Sequence, residues 1–331
     1  MLSSAYYFVW CGKFRREQQA ALLGRVRFEI DQRAPSGSSA ILRRNVHRIE
    51  KGLIMRPRRD VFAVDYVRET MDCFVKAVQK DCGCELSDQE YLWARDVLGE
   101  YFSVTGSHAV IDEQRKRYES LPMARSSDHA PDRSQHFKPY VRAPHFDAVG
   151  YEDFLSLAKR RRSVRWFSEE PVPRELIRKA VAVAAQSPSA CNRQPFEFRV
   201  FDSPELIRQV APLPAGTLGF DHNFPVVIVI TGLMSNYYDE RDRHLIYIDG
   251  GLAAMGLVYA LETLGLSSCC INWPDIEERE LLAANVLGLA VDERPVMFMA
   301  VGYPDETAMV PYSEKKPLDQ LCRFNFRGNE S

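Results

Sequence analysis

Five cationic side chains crowd one hydroxyl in KRRRSVRWF, Lys159 to Phe167. Arginine presents a planar fork of donors that matches phosphate oxygens, and Ser163 adds a hydroxyl donor. A solvated helix end has the same composition, because cations favour a helix C-terminus. About 25 residues further on, SPSACNRQPFEF, Ser187 to Phe198, packs Pro188, Ser189, Asn192, Arg193, Gln194 and Pro195 into one short turn. Asn192 and Gln194 can each donate and accept, which suits a ligand with both functions on one edge. A well-capped turn uses the same residue types. Arg193 is open to three placements: solvent, a partner subunit or a substrate.

A third stretch, ALETLGLSSCCINW, Ala260 to Trp273, sets a glycine after a helix and small residues beyond it. Backbone amides can then approach a flat ligand closely. Cys269 and Cys270 are neighbours in an expected strand, so their side chains point to opposite faces. That argues against a redox pair and for buried structural thiols. The fourth stretch is VGYP, Val301 to Pro304, followed by YSEKKPLD. There Lys315 and Lys316 offer a second cationic contact or an ordinary solvated surface. No metal site is expected. His47 in HRIEKGL lacks a second ligand, and Cys82 and Cys84 are too close together for a structural zinc pair. No acid–base side chain stands out as catalytic.

The elements that must position these groups are readable from periodicity. Tyr151 to Arg161 has helical spacing, with Phe154, Leu155 and Ala158 expected inward. Pro173 opens a helix that carries Leu176, Ile177, Ala180, Val181 and Ala184. FEFRVF alternates as a strand, and FPVVIVI, Phe224 to Ile230, is a continuous apolar strand of the buried kind. Ile246 to Leu264 is a long apolar helix whose Gly250, Gly251, Ala253, Ala254 and Gly256 would let another backbone come close. LSSCCINW and PVMFMAVGYP are strands, and Asp275 to Leu287 is a helix. Alternating helices and strands indicate a sheet with helices on its faces.

Ahead of this core the chain reads as helical. Asp65 to Lys80 places Val67, Met71, Phe74, Val75 and Val78 on one face. Ser87 and Glu90 have capping-box spacing. Leu42 to Leu53 reads as an amphipathic helix with a strongly basic face. Residues 120–147, with Pro122, Pro131, Pro139 and Pro144 among Ser, Asp and His, lose apolar periodicity and read as a linker or wrapping arm. The expected organisation is a helical region over residues 1–119, this segment, and a core over residues 148–331.

Composition narrows the class. The chain has 331 residues, 46% hydrophobic and 27% charged, with net charge −2. That fits a soluble globular protein of one large or two medium domains. It gives no global field for nucleic acid or anionic membrane. No apolar run has the roughly 18 residues that span a bilayer. The mildly apolar start carries its positive charge after the apolar part, the wrong order for a secretory signal. Eight scattered cysteines fit reduced thiols and a cytoplasmic setting.

The order of the four stretches is more specific than any one of them. Arg-Arg-Ser-x-Arg, then Pro-Ser-x-x-Asn-x-Gln-Pro-aromatic, then a small-residue helix ending in Leu-Gly-Leu, then Gly-Tyr-Pro, resembles the FMN-dependent nitroreductase family across roughly residues 150–322. The resemblance implies an α+β sheet flanked by helices, in an intertwined homodimer with two FMN molecules at its interface. Residues 1–147 lie outside it as an extra helical region. By the resemblance, Arg161, Arg162, Ser163 and Arg165 hold the FMN phosphate and ribityl chain. Pro188, Ser189, Ala190, Asn192 and Gln194 line the flavin, reaching in from the partner subunit. Ile271, Asn272 and Trp273 place a backbone amide near flavin N5, and Lys315 or Lys316 completes the phosphate site. The implied activity is a two-step hydride cycle, NADH or NADPH in and an electron-poor nitro, quinone or related small molecule reduced. The flavin carries the chemistry. Biosynthetic oxidation, dehalogenation or flavin breakdown on the same scaffold is the alternative, as is a flavin-binding partner protein with little turnover. The sequence departs from the family pattern at Phe196, where Trp is frequent, and by an extra Arg160.

Overall fold

The computed structural model describes residues 2–33, 40–79, 86–122, 137–142 and 149–325. Cys82 and Cys84, and Pro131 and Pro144 of the expected linker, lie outside the described residues.

Four antiparallel strands form the central sheet: β1 (Phe196–Phe201), β2 (Val226–Leu233), β3 (Ser267–Asn272) and β4 (Glu293–Gly302), in the order β1-β2-β4-β3. Nearly every residue of β2 is buried. Val226, Ile228 and Ile230 meet one apolar layer, and Val227 and Val229 meet the other. A strand covered on both faces gains nothing from polar alternation, which is why FPVVIVI reads as one apolar run. Ser163 and Val164 lie along the free edge of β3, and Phe167 and Ser168 pair with Pro304 and Tyr303 just after β4. Ser163 bridges to Ser268, the Val164 amide donates to the Ser268 carbonyl at 3.1 Å, and Phe167 bridges to Pro304.

The core elements that periodicity places are present, with three differences in detail. Helix α6 (Tyr151–Arg160) buries none of its residues, and Phe154, expected inward, is half exposed against Tyr259. Pro173 caps α7 (Arg174–Ala184) from outside instead of starting it. Cys269 is buried as expected, whereas Cys270 is exposed on the opposite face of β3. After α8 (Pro204–Val210), the long apolar segment forms α9 (Leu245–Thr263). Residues Glu240–Thr263 are long and apolar enough to cross a membrane by composition, yet half of that window is buried inside the fold. Gly256 explains the close packing: a Cβ there would sit 3.3 Å from the Ala184 backbone of α7. Helix α10 (Glu277–Leu287) covers the other face.

Upstream lie α1 (Arg15–Arg33), α2 (Ala40–Leu53), α3 (Val67–Gln79), α4 (Asp88–Val104) and α5 (Ala109–Glu119). Leu42, Val46, Ile49, Met71, Phe74 and Leu98 centre a separate apolar cluster. Ser87 and Glu90 form the reciprocal capping box at the start of α4. The basic face of α2 is turned largely into protein contacts. Arg48 stacks over Tyr66 with 3.6 Å to the ring centroid, and Arg44 lies over Tyr238.

Helix α1 docks on the sheet-containing core. A Cβ at Gly24 would sit 2.7 Å from the Met234 Cβ, so only glycine lets the two backbones approach this closely. Arg16 donates to the Val291 carbonyl at 2.9 Å and lies 3.9 Å from Glu280. Glu280 also forms an ion pair with Arg294 at 3.1 Å and accepts from the Trp273 indole. A buried charge cluster therefore ties α1 to α10 and β4.

Candidate functional site

The cationic run lies where α6 ends and the edge segment beside β3 begins. Arg160 forms an ion pair with Glu262 at 3.7 Å. The other three arginines have no carboxylate ion pair among the described residues. Arg162 donates to the Pro311 carbonyl at 3.3 Å, and Arg165 faces the Phe220 ring at 5.8 Å. Arg161 lies only at electrostatic range of Glu262, whose carboxyl is held above its usual range by burial, opposed by its Ser267 hydrogen bond and both arginines. Three guanidinium groups are thus available to an anion. Beside them a cavity of about 310 Å³ is lined by Arg165, Gly216, Phe220, Cys270, Ile271 and Asn272, among others. Trp273 turns away, stacking on Phe298 at 5.0 Å. From this triplet, Ile271 and Asn272 line the cavity. Lys315 and Lys316 are exposed on the segment after β4. Lys315 shares the Arg162 neighbourhood: the Glu314 carboxyl is held below its ordinary range by the Tyr312 side chain first, then by the Lys315 amide, with the Lys315 and Arg162 charges adding to it.

The amide turn between α7 and β1 is locally strained. Cys191, Asn192 and Gln194 have φ of 54°, 53° and 50°, a left-handed conformation that costs about 1–2 kcal/mol per non-glycine residue. Such a backbone persists only when its surroundings over-determine it. Here the Ser189 hydroxyl accepts from the Gln194 amide at 3.0 Å, and Gln194 Nε2 donates to Asn192 Oδ1 at 2.9 Å. Asp249 on α9 accepts from the Ala190 amide at 3.0 Å and from the Tyr237 hydroxyl at 2.9 Å. Arg43 on α2 donates to the Asn192 carbonyl at 3.1 Å. Burial beside the Asp249 carboxylate holds the Tyr237 hydroxyl far above its ordinary pKa, so it stays a donor. Arg193 is 4% exposed, packed over the Tyr237 ring and 3.7 Å from Asp242. Its placement is within its own chain.

Asp249→Ala would leave the Ala190 amide and the Tyr237 hydroxyl without their buried acceptor. At about 1–3 kcal/mol for each unsatisfied group, the expected loss is about 2–6 kcal/mol. Equilibrium urea unfolding reads it, and a change within about 0.5 kcal/mol would show that Asp249 does not hold the turn.

The two groups of residues do not meet within one chain. The arginine run follows the β3 edge beside Ser268, and the amide turn enters β1 at Phe196. Strand order, with the run one position outside β3, separates them by four inter-strand spacings, about 19 Å. They also lie at opposite ends, because Phe196 is opposite Gly232, whereas Ser268 is opposite Val301, whose β2 partner is Val226. The turn instead borders a second cavity, of about 940 Å³, whose far wall is α2, α4 and residues 137–140. Sequence reasoning missed Asp249, Arg43 and Trp93, because each acts from a distant element and carries no local motif. Among the described residues no group of three His, Cys, Asp or Glu is placed to hold a metal ion.

Residues 158–303 match the sequence model of the Nitroreductase family. Iodotyrosine deiodinase 1 of Pongo abelii is 25% identical over 197 residues, 51% of this chain and 67% of that protein. A Methanothermobacter thermautotrophicus protein, provisionally named an NADH dehydrogenase/NAD(P)H nitroreductase, is 29% identical over 175 residues, 52% of this chain and 87% of that protein. An FMN-dependent nitroreductase of Clostridium difficile aligns in structure with a TM-score of 0.45 and 24% identity, covering 52% of this chain and 99% of that one. A nitroreductase-family domain of α+β fold therefore occupies residues 158–303.

Proposed function

We propose that this nitroreductase-family domain binds FMN across a homodimer and uses NADH or NADPH to reduce an electron-poor small molecule. One observation carries the reading. The unpaired arginines and the strained amide turn are two half-sites at diagonal corners of one sheet, and a second copy can join them. The exposed surface supports that assembly. Helix α9 leaves Ile248, Leu252 and Met255 half exposed along one face. The segment after β4 carries Met309, Leu318 and Phe324 almost bare.

In the proposed dimer Arg161, Arg162, Ser163 and Arg165 grip the phosphate and ribityl chain, joined by Lys315 or Lys316. Pro188, Ser189, Ala190, Asn192 and Gln194 of the other copy line the ring system. The backbone of Ile271–Trp273 offers an amide at its edge. Bound FMN would supply the hydride chemistry, and the chain supplies charge, amide donors and orientation. No side chain is assigned proton transfer. The deiodinase relatives favour a second reading on the same site, reductive dehalogenation.

The purified protein is expected to be yellow, to release FMN on acid treatment in a ratio near one per chain, and to run as a dimer by light scattering. A colourless monomer that takes up no added FMN would overturn the reading.

A further inference from the structure

One surface of the upstream helices combines uncommitted cations with bare apolar side chains. The run KGLIMRPRR, Lys51 to Arg59, carries four cations and no acid. It leads from the end of α2 into the loop that follows. Lys51, Arg56, Arg58 and Arg59 are exposed, and so are Ile54 and Met55 between them. Tyr140 and Val141 stand beside this run, 87% and 93% exposed. Two neighbouring hollows make these residues one patch. The smaller, of about 280 Å³, is lined by Ile54, Met55, Arg56, Arg58, Tyr140 and Val141, among others. The larger, of about 490 Å³, shares Met55 and adds Pro57 and Arg59. We propose that this patch docks the protein on the surface of an anionic phospholipid bilayer. The inference does not rest on the flavin reading.

Charge separates these cations from their neighbours. Every arginine of helices α2 to α5 already meets a carboxylate or an aromatic ring. Arg43, Arg68, Arg95, Arg115 and Arg117 form ion pairs, and Arg44 and Arg48 lie over Tyr238 and Tyr66. Arg56, Arg58, Arg59 and the exposed Arg142 form no ion pair among the described residues. Glu100, an acid that lines the smaller hollow, is matched by Lys138 at 2.8 Å. The patch is therefore locally positive, whereas the whole chain carries −2. Its attraction to lipid phosphates is confined to close range, because salt screens exposed charges within about 8 Å.

The apolar side chains decide the kind of anion. A nucleic-acid backbone would use the cations alone and gain nothing from bare aliphatic groups. A bilayer surface uses both kinds. Ile54, Met55 and Val141 can enter the boundary between headgroups and acyl chains, and Tyr140 is of the type that settles at that interface. Long cationic side chains keep their charge at phosphate depth while their stems stay apolar. Stable surface binding takes two such contributions together, so loss of either is expected to release the protein. The upstream helices then act as the part of the chain that meets the membrane.

Vesicle flotation of the full chain tests the assignment. Vesicles of phosphatidylcholine and phosphatidylglycerol in equal parts are compared with vesicles of phosphatidylcholine alone. The unaltered protein is expected to float with the anionic vesicles and to bind the neutral ones about tenfold more weakly or worse. Arg58→Glu combined with Arg59→Glu is expected to weaken binding to the anionic vesicles by about tenfold or more. Ile54→Ser combined with Met55→Ser is expected to weaken it to a similar degree at unchanged charge. These positions are exposed, and an unaltered circular dichroism spectrum checks the fold of each variant. Equal binding to the two kinds of vesicle, or no binding to either, would overturn the proposal. Binding that survives both double substitutions would also overturn it, by placing the contact elsewhere on the chain. So would a loss confined to the arginine variant, the result expected of a nucleic acid or an acidic protein as the partner.

Discussion

Arg162→Ala and Arg165→Ala are each expected to purify with far less FMN than the unaltered chain. Each removes a charge-assisted contact to phosphate of about 1.5–3 kcal/mol, which corresponds to about 10- to 150-fold weaker binding. Neither guanidinium forms a carboxylate ion pair among the described residues, so its removal leaves no buried acid behind. Arg162 loses only a 3.3 Å contact to the Pro311 carbonyl, and Arg165 only a weak one to the Ser163 carbonyl at 3.4 Å. Arg160→Ala is the matched control. Arg160 is committed to Glu262, so its loss is expected to leave FMN occupancy close to that of the unaltered protein. Flavin released by acid, divided by protein, gives the readout. Full occupancy in both the Arg162 and Arg165 variants would show that the phosphate lies elsewhere.

Glu280→Ala is expected to cost about 3–5 kcal/mol of stability, because breaking a buried ion pair leaves its partner uncompensated. Glu280 and Arg294 are each 1% exposed, 3.1 Å apart. The second contact of Arg294, to Asp275 at 2.6 Å, lies on the more exposed side. Removing Glu280 also deprives the Trp273 indole of its acceptor and Arg16 of its nearest carboxylate. The effect should reach α1, since Arg16 is one of its anchors to the core. Equilibrium denaturation measures the total, and limited proteolysis within residues 15–33 reads the loosening of α1. A loss under about 1 kcal/mol would mean that the cluster is not the tie that its geometry indicates.

The legible parts of the chain were those whose determinants are local. Ser87 and Glu90 satisfy each other's amides within one turn, so their spacing alone specifies the start of α4. Val226 to Ile230 are apolar on both sides of a strand, and both sides are covered. The family domain was legible because four weak stretches occur in one order, and residues 158–303 match the family model.

The parts that escaped depend on contacts remote in sequence. Helix α1 fell within the helical reading of residues 1–119 but was not picked out as an element of its own. Its inward residues include Ala20 and Phe28, and Leu22, Val26 and Ile30 face outward, so no clean apolar stripe marks it. Phe154 was expected inward from spacing alone, but it is half exposed, with its ring against Tyr259. Arg193 could not be placed from its neighbours, because Tyr237 and Asp242 reach it from beyond β2. Local residue types indicated an amide turn. The left-handed backbone of Asn192 and Gln194 is imposed by Asp249, Arg43 and Asn236 from other elements. The separation of the arginine run from that turn follows from strand order, which no short motif encodes.

The central claim is that the chain holds FMN in a form that a nicotinamide can reduce. Titration of the purified protein with NADH, and separately with NADPH, under air-free conditions tests it most directly. The visible flavin absorbance is expected to bleach with one equivalent of at least one nicotinamide, and to return when duroquinone is added. Bound flavin that stays oxidised with both nicotinamides would contradict the account.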